Sequence, residues 1–509
     1  MNNSTVTNVP TNVNGTCNGT NGMNGAAAKS EAEDTPYTPY EEAIIKLNSL
    51  QSNAATIQKL RDRRDSIQAE NVPQTVRCLQ TLGISLQDID KLQVIHVSGT
   101  KGKGSTCAFV ESILRHYGYT TGLYTSPHLV SARERIRING KPIDEHAFAR
   151  YFFDVYDTLF EADASHMPPY FKFLTLLAFR IFTQMQVDVA IIEVGIGGEY
   201  DCTNCIENPV VCGITTLDID HTSLLGSTLP QIAWHKAGIL KTHSVAFYTP
   251  TAQEAEDVIR QRATDKQCEL FSVPRFEDFD WKGHKLCAGI CGKHQTLNIA
   301  MALQLTARWL ERTKSKHAIE SFVSGKGFPV PIEMIKGIEN CRWPGRSHTV
   351  ETERAKYFLD GAHTPKSMEV CAEWLSGELQ KEPTDCKRVL VFQCTADRSP
   401  SSLLPYLKDL NFSEALFCPT LVSLTQVKKS DLTNFNASTE QQKQRAEECR
   451  VIWKKLTGKE SFVFPCISSA IAHLSQNHSD PSSNHLLVCV TGSLHLVGGV
   501  LSIISPNVD

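Results

Sequence analysis

Eight residues, Gly99-Thr-Lys-Gly-Lys-Gly-Ser-Thr106, restrict the fold of this chain more than any other stretch. Three glycines and two lysines in that order neither continue a strand nor fill a helix interior. An apolar strand candidate (residues 93–97) precedes them. A helical stripe of Cys107, Val110, Leu114 and Tyr117 follows and is closed by Gly118. A strand, a glycine loop and a helix in succession place several backbone N–H groups and a helix N-terminus at one point, which suits a phosphate group. Lys103 would neutralise β- and γ-phosphates. The spacing departs from the common G-x-x-x-x-G-K-[ST] form, since only two residues separate Gly99 from Gly102.

The surrounding pattern repeats the same alternation. Ile44, Leu47, Leu50, Ile57, Leu60, Ile67 and Leu79 follow helical spacing across residues 40–82. Buried-strand candidates lie at 121–125, 187–194, 210–216 and 244–248, with helical stretches at 145–161, 171–184 and 229–237. Strands alternating with helices predict a mostly parallel sheet. A second set of strands, at 356–360, 388–394, 415–418 and 486–490, follows the Gly- and Pro-rich stretch 324–331. We therefore expect two α/β domains: a P-loop NTPase-like central domain over 37–338 and a smaller Rossmann-like domain over 339–509. The polar segment 428–450 reads as an insertion or exposed helix and is assigned no chemistry.

At 509 residues the chain exceeds what one core supports, and 41% hydrophobic with 21% charged residues fits a globular protein. A formal net charge of −4 argues against a nucleic-acid binder held by phosphate contacts. No apolar run reaches the roughly 20 residues of a membrane span. Residues 1–36, rich in Asn, Thr and Gly, predict a disordered tail. Its first basic residue is Lys29, so no Arg-rich leader is read, and its Asn-x-Ser/Thr triplets stay idle without secretion. Seventeen scattered cysteines without a signal-peptide core predict reduced thiols in the cytoplasm. A mitochondrial pool from another start site stays open.

In an open parallel sheet, ligands collect beyond the carboxyl ends of the strands. Ser126 of Thr125-Ser-Pro-His128, Glu193 before Gly195-Ile-Gly-Gly198, and His221 closing Leu217-Asp-Ile-Asp-His all fall at such ends, beside the phosphate loop. One hydroxyl, one carboxylate and one imidazole around nucleotide phosphates make a candidate Mg2+ site, with the imidazole the least usual donor for so hard a cation. Singly they read as a helix cap, an ion-pair partner and a core histidine; their joint placement favours the metal.

Residues 131–143 read as a hairpin turning at Asn139-Gly140, whose alternation would set Arg133, Arg135 and Arg137 on one face, a solvated face or a basic wall for an anionic substrate. Lys172 and Arg346 add to such sites. Cys202-x-x-Cys205 and the set His284, Cys287, Cys291 and His294 have spacings that hint at zinc, but only one pair has the two-residue gap, and Cys202 adjoins the nucleotide region. Buried thiols are the preferred reading.

From about residue 40 onward the sequence resembles the eukaryotic folylpolyglutamate synthases, within the Mur-ligase superfamily. The resemblance rests on ordered motifs that include the phosphate loop, Thr125-Ser-Pro-His-Leu129, Arg133-Glu-Arg-Ile-Arg-Ile-Asn-Gly140, Pro169-Tyr-Phe-Lys-Phe-Leu-Thr175, Glu193-Val-Gly-Ile-Gly-Gly198, Asp201-Cys-Thr-Asn204, Asp220-His-Thr-Ser-Leu-Leu-Gly226, Ile232-Ala-Trp-His-Lys-Ala-Gly238, Trp343-Pro-Gly-Arg346 and Leu359-Asp-Gly-Ala-His363. It implies an ATP-dependent ligase that adds L-glutamate to the γ-carboxylate of a folate through an acyl phosphate. It implies ATP contacts from Gly99, Thr100, Lys101, Gly102, Lys103, Gly104, Ser105, Thr106, Asn298, Arg346 and Asp360, and Mg2+ on Ser126, Glu193 and His221. It further implies a carbamylated Lys236, His363 and Ser493 near the incoming glutamate, and folate near the arginines. The expected partners are small molecules (folate, ATP and L-glutamate, with Mg2+ and a monovalent cation such as K+), and the expected assembly is a monomer. A dihydrofolate synthase and a P-loop ATPase without ligase activity are the alternatives.

Overall fold

The computed structural model describes residues 37–51, 64–395, 398–424, 431, 439–477 and 486–505. The expected tail at 1–36, the middle of the expected 40–82 helical stretch (52–63) and most of 425–438 lie outside them. Within 40–82 two helices are described, Pro39–Ser49 and Arg64–Thr81. Thr38 caps the first by a reciprocal capping box with Glu41.

Two sheets organise the rest. The larger has eight strands, in chain order β1 (Ile95–Ser98), β2 (Thr121–Tyr124), β3 (Ile136–Ile138), β4 (Lys141–Pro142), β5 (Val189–Glu193), β6 (Val211–Ile214), β7 (Val245–Tyr248) and β8 (Glu269–Ser272). Their spatial order is β4-β3-β2-β5-β1-β6-β7-β8. β2, β5, β1, β6, β7 and β8 run parallel, and β3 alone opposes them, pairing antiparallel with both β2 and β4. Every residue of β1, β2, β5, β6 and β7 is buried, which is what short, near-continuous apolar runs covered by helices on both faces require. On one face of β1, Ile95 and Val97 pack with the helices Lys103–His116 and Gln295–Arg312; His96 and Ser98 face the other way.

The smaller sheet is ordered β13-β12-β11-β14-β10-β9, from β9 (His348–Glu351), β10 (Ala355–Asp360), β11 (Arg388–Phe392), β12 (Glu414–Phe417), β13 (Glu460–Val463) and β14 (Leu486–Thr491). All pairs are parallel except β10–β9. Apolar clusters cover both of its faces, one around Phe358, Leu390 and Trp453 and the other around Leu359, Val391 and Ile467. The polar segment ending at 450 is in part the amphipathic helix Thr439–Thr457, which buries Ala446, Cys449 and Trp453 in the first of these clusters. From residue 439 onward that segment carries core side chains, where the sequence reading had made it an insertion or exposed helix.

Strand order fixes where chemistry can sit. β1 lies between β5 and β6, with connections leaving to either side, so the carboxyl ends of β1, β2, β5 and β6 open at one edge.

Candidate functional site at the carboxyl edges of the sheets

The loop after β1 is built around two glycines. Gly99 has φ +142°, and a Cβ there would stand 1.9 Å from Thr215 Oγ1; Gly102 has φ +86°, and a Cβ there would stand 2.1 Å from Asn298 Oδ1. Thr215 lies just past β6, and its hydroxyl donates to Lys101 O at 2.8 Å. The amides of Thr100 and Lys101 donate to Thr216 O at 3.0 and 3.1 Å. The loop is thereby tied to the end of β6, and Gly102 opens the helix Lys103–His116, whose first amides have no partner within the helix. Asn298 packs behind this loop and donates through its own amide to Gln295 Oε1 at 2.7 Å.

Lys103 projects from the first turn to within 3.8 Å of Glu193 Oε1 at the end of β5. Glu193 Oε2 accepts the Ser126 amide at 2.9 Å. Burial pushes the Glu193 carboxyl up, against the pull of Lys103, the Ser126 amide, Arg346 and Arg135. His221 occupies a left-handed conformation (φ +50°) after β6 with its side chain exposed to solvent, and Lys103 and Lys236 are among the charges it feels. Ser126, Glu193 and His221 are thus all placed around Lys103. Their chemistry fits a divalent cation: a buried carboxylate with one oxygen short of a hydrogen bond, a neutral imidazole and a hydroxyl.

Lys236 is 3% exposed and donates to Gly99 O at 2.7 Å, while its carbonyl accepts the Ser98 hydroxyl. Burial, then Lys103, pushes its amine well below the usual lysine range. Lys101 pairs instead with Asp220 Oδ2 at 3.0 Å. Burial alone would raise the Asp220 carboxyl, but Lys101, Arg398 and His221 outweigh it and hold it low. Arg398 comes from beyond β11, 2.7 Å from Asp220 Oδ1.

The smaller sheet supplies the rest. Asp360, ending β10, accepts the amides of Ser347 at 2.8 Å and Ala362 at 2.9 Å, so it shapes the loops on either side. Arg346 is half-buried near both Asp360 and Glu193, whose carboxylates oppose the downward push of desolvation on its guanidinium. His363 Nδ1 donates to Gly361 O at 2.8 Å, which leaves Nε2 as the acceptor. Burial, reinforced by Lys101, pushes His363 down to about 4. Ser493 is buried ahead of the helix Leu494–Ile504, next to Gly492, whose Cβ would stand 2.3 Å from Gln393 O.

The arginine row is corrected. Asn139 and Gly140 do turn the β3–β4 hairpin with positive φ at both, but Ala132–Arg135 is a 3-10 turn. The Glu134 carboxylate accepts the amides of Leu129, Val130 and Ser131, which winds the chain where alternation predicted a strand. The three guanidiniums diverge. Arg133 lies over Tyr40 and donates to Ile143 O; Arg137 is buried against Trp343; Arg135 lies over Tyr170 and donates to His128 Nδ1. Of the three, only Arg135 bears on Glu193. Lys172 is buried and donates to Gln74 Oε1.

The zinc-like spacings resolve into other partners. Burial pushes the Cys202 thiol up to about 12, and it contacts Asn71; His284 pairs with Glu339, and His294 contacts Gln295. The sequence reading passed over Asp220 as a side chain with work to do, and it passed over Arg398. Asp220 stood next to a chosen histidine, which was the available signal.

Comparison with known proteins follows the same lines. Residues 346–503 match the family model described as dihydrofolate synthetase, C-terminal domain. The chain is 51% identical over 476 residues to a Caenorhabditis elegans protein that carries the folylpolyglutamate synthase name, covering 91% of this chain and 92% of that one. It is 39% identical over 544 residues to the human mitochondrial folylpolyglutamate synthase, covering 92% of each. A Mycobacterium tuberculosis folylpolyglutamate synthase solved with ADP and AMPPCP superposes with a TM-score of 0.66 at 22% identity, over 90% of this chain and 99% of that one.

Proposed function

The chain belongs to the folylpolyglutamate synthase family and is an ATP-dependent ligase that joins L-glutamate to folates, and on that premise we propose how its residues divide the reaction. The observation that carries the reading is the meeting of Lys103, Ser126, Glu193, His221 and Lys236 at the carboxyl edge of the larger sheet.

A carboxylate is a poor electrophile, so the folate γ-carboxylate must first take a phosphoryl group from ATP to acquire a leaving group. Within the loop 99–106, the backbone amides of Gly102 to Ser105 hold the phosphates, and Lys103 turns from Glu193 to the phosphoryl oxygens. Asn298, Arg346 and Asp360 complete the nucleotide contacts. Ser126, Glu193 and His221 would hold Mg2+, which offsets charge on the transferring phosphoryl group. Lys236, a buried amine whose proton burial loosens, is suited to carbamylation by CO2 with loss of that proton, which would convert it to an oxygen donor. A monovalent cation such as K+ belongs to the same proposal and is tested by exchange for Na+.

Glutamate's amine then attacks the acyl phosphate and phosphate leaves. His363, neutral at pH 7 with Nε2 free to accept, orients that amine and passes its proton on. Ser493 lies on the same side. Of the arginines, Arg135, whose charge is felt at Glu193, is the one we assign to an anionic substrate. A monomer, two domains divided at 338/339 and a cytoplasmic setting complete the proposal. No helix among the described residues is long and apolar enough to cross a membrane.

The test is mass spectrometry of tetrahydrofolate incubated with ATP, Mg2+ and glutamate. The expected products carry one or more added glutamyl residues. The match to a dihydrofolate synthetase domain favours a second arm with dihydropteroate as acceptor. ATP hydrolysis that ignores glutamate in both arms would overturn the ligase reading.

A further inference from the structure

Directly behind the phosphate loop, β1 carries a histidine that the reaction does not touch. His96 has no solvent exposure and points away from the apolar cluster that takes Ile95 and Val97. Its Nε2 lies 2.9 Å from Thr203 Oγ1. The Thr203 hydroxyl has one hydrogen and gives it to Asp201 Oδ1 at 2.7 Å, so it accepts from His96, and the imidazole carries its proton on Nε2. His96 Nδ1 is buried without a partner. An apolar side chain would avoid that cost, so the retained imidazole points to a task for its other nitrogen.

The end of the relay shows the task. Asp201 is buried, and its carboxylate accepts the amides of Ile196 at 3.1 Å, of Gly195 and of Thr203 at 3.0 Å. The first two belong to the turn that follows Glu193, and the third to the 3-10 turn Cys202–Cys205. The same turn is keyed to Lys236: Glu199 N donates to His235 O at 2.8 Å, and a Cβ on Gly198 would stand 2.6 Å from His235 O and 2.9 Å from Lys236 O. A turn packed so closely against a backbone has no room to shift without moving Glu193 or Lys236.

We propose that His96 is a positioning residue: through Thr203 and Asp201 it locks the turn at 195–198, and that turn fixes the distance between Glu193 and Lys236. This rests on the ligase reading for its consequence in turnover, while the relay itself is testable without it. The neutral imidazole serves as a directed donor and takes no part in proton transfer.

The experiment compares His96→Leu, His96→Gln, Thr203→Val and the double variant His96→Leu/Thr203→Val in the full chain. Three quantities are read: hydrogen exchange of the peptide over residues 194–200, kcat and KM for ATP. Leu and Val each break the relay; both should speed exchange in that peptide and lower kcat by about tenfold or more, with KM for ATP within about twofold. The double variant should be no worse than either single one, because the links act in series. In His96→Gln the side-chain amide reaches the same hydroxyl, and kcat should stay within about threefold. Unchanged exchange in both broken variants, equal effects of Gln and Leu, or additive losses in the double variant would each overturn the relay. Should His96→Leu fail to fold, the nearly isosteric Thr203→Val decides alone. If the wild-type chain ligates no glutamate, the functional reading fails, and the exchange comparison still tests the lock.

Discussion

Arg398 donates to Asp220 across 2.7 Å, joining the carboxyl edge of the smaller sheet to that of the larger one. Asp220 in turn holds Lys101, within the phosphate loop, at 3.0 Å. Charge from the smaller sheet thereby reaches the nucleotide loop through one carboxylate. Arg398→Ala removes a charge-assisted hydrogen bond that contributes about 1.5–3 kcal/mol. We expect kcat/KM to fall about ten- to a hundredfold, with a drop in melting temperature of no more than about ten degrees. Steady-state kinetics with ATP and glutamate varied separately, beside a thermal melt, checks this; a large drop in melting temperature with normal kcat/KM would make the pair a purely structural clamp.

Lys103→Ala should abolish turnover, by about a thousandfold or more, with the fold intact. In the free protein Lys103 faces a carboxylate that burial has already pushed up, so the ammonium is there for more than that partner. Circular dichroism beside a product assay separates the two effects, and normal activity would remove the phosphate-loop assignment.

Glu193→Gln carries opposite signs for function and stability. Burial raises the folded carboxyl above its usual value, so the ionised side chain costs stability above the unfolded value, and that cost is relieved as pH falls. The amide should therefore raise the melting temperature more at pH 7 than at pH 5. It should also raise the Mg2+ concentration for half-maximal rate by about tenfold or more. A titration with Mg2+ and melts at the two pH values test both.

How much of this was legible follows from what each residue's neighbours in sequence reveal. The strands β1, β2, β5, β6 and β7 were readable because central parallel strands are apolar throughout. β8, β9 and β13 were not, because edge strands such as Glu460–Val463 keep most side chains exposed and lack that signal. Arg133 and Arg135 misled because alternating Arg and aliphatic residues imitate a strand, whereas Glu134 caps three preceding amides and wins locally. Glu193 stands out in the sequence because it closes the apolar strand β5, and Ser126 and His221 because they lie in the loops that follow β2 and β6. Arg398 was not, since its partner lies 178 positions away in sequence.

Acid should unfold the protein through buried histidines. His363 sits near 4 and His96 near 3 in the folded state, both below the ordinary imidazole value of 6.5, and burial is the main cause. A depressed folded value contributes stability that is complete above pH 6.5 and is lost as pH falls toward the folded value. For His363 the difference amounts to about 3 kcal/mol. Urea melts between pH 7 and pH 4.5 should show stability falling with acid, and His363→Gln should flatten part of that slope. An unchanged slope would mean that His363 is open to water.

Gly102→Ala tests the cradle, with Gly118→Ala as its control. Both positions have positive φ, +86° and +90°, so each alanine meets similar backbone strain, about 1–2 kcal/mol. Their surroundings differ. A Cβ at Gly118 meets nothing within 4 Å, whereas one at Gly102 would stand 2.1 Å from Asn298 Oδ1 and must push that side chain or the loop aside. Gly118→Ala should therefore lose stability by the strain alone and keep its KM for ATP. Gly102→Ala should lose more, and its KM for ATP should rise about tenfold or more, because the displaced loop no longer aims its amides at the phosphates. Chemical denaturation and ATP-dependent kinetics on the two variants decide it: equal losses and equal KM values would mean that the close approach of Asn298 to the loop has no part in holding nucleotide.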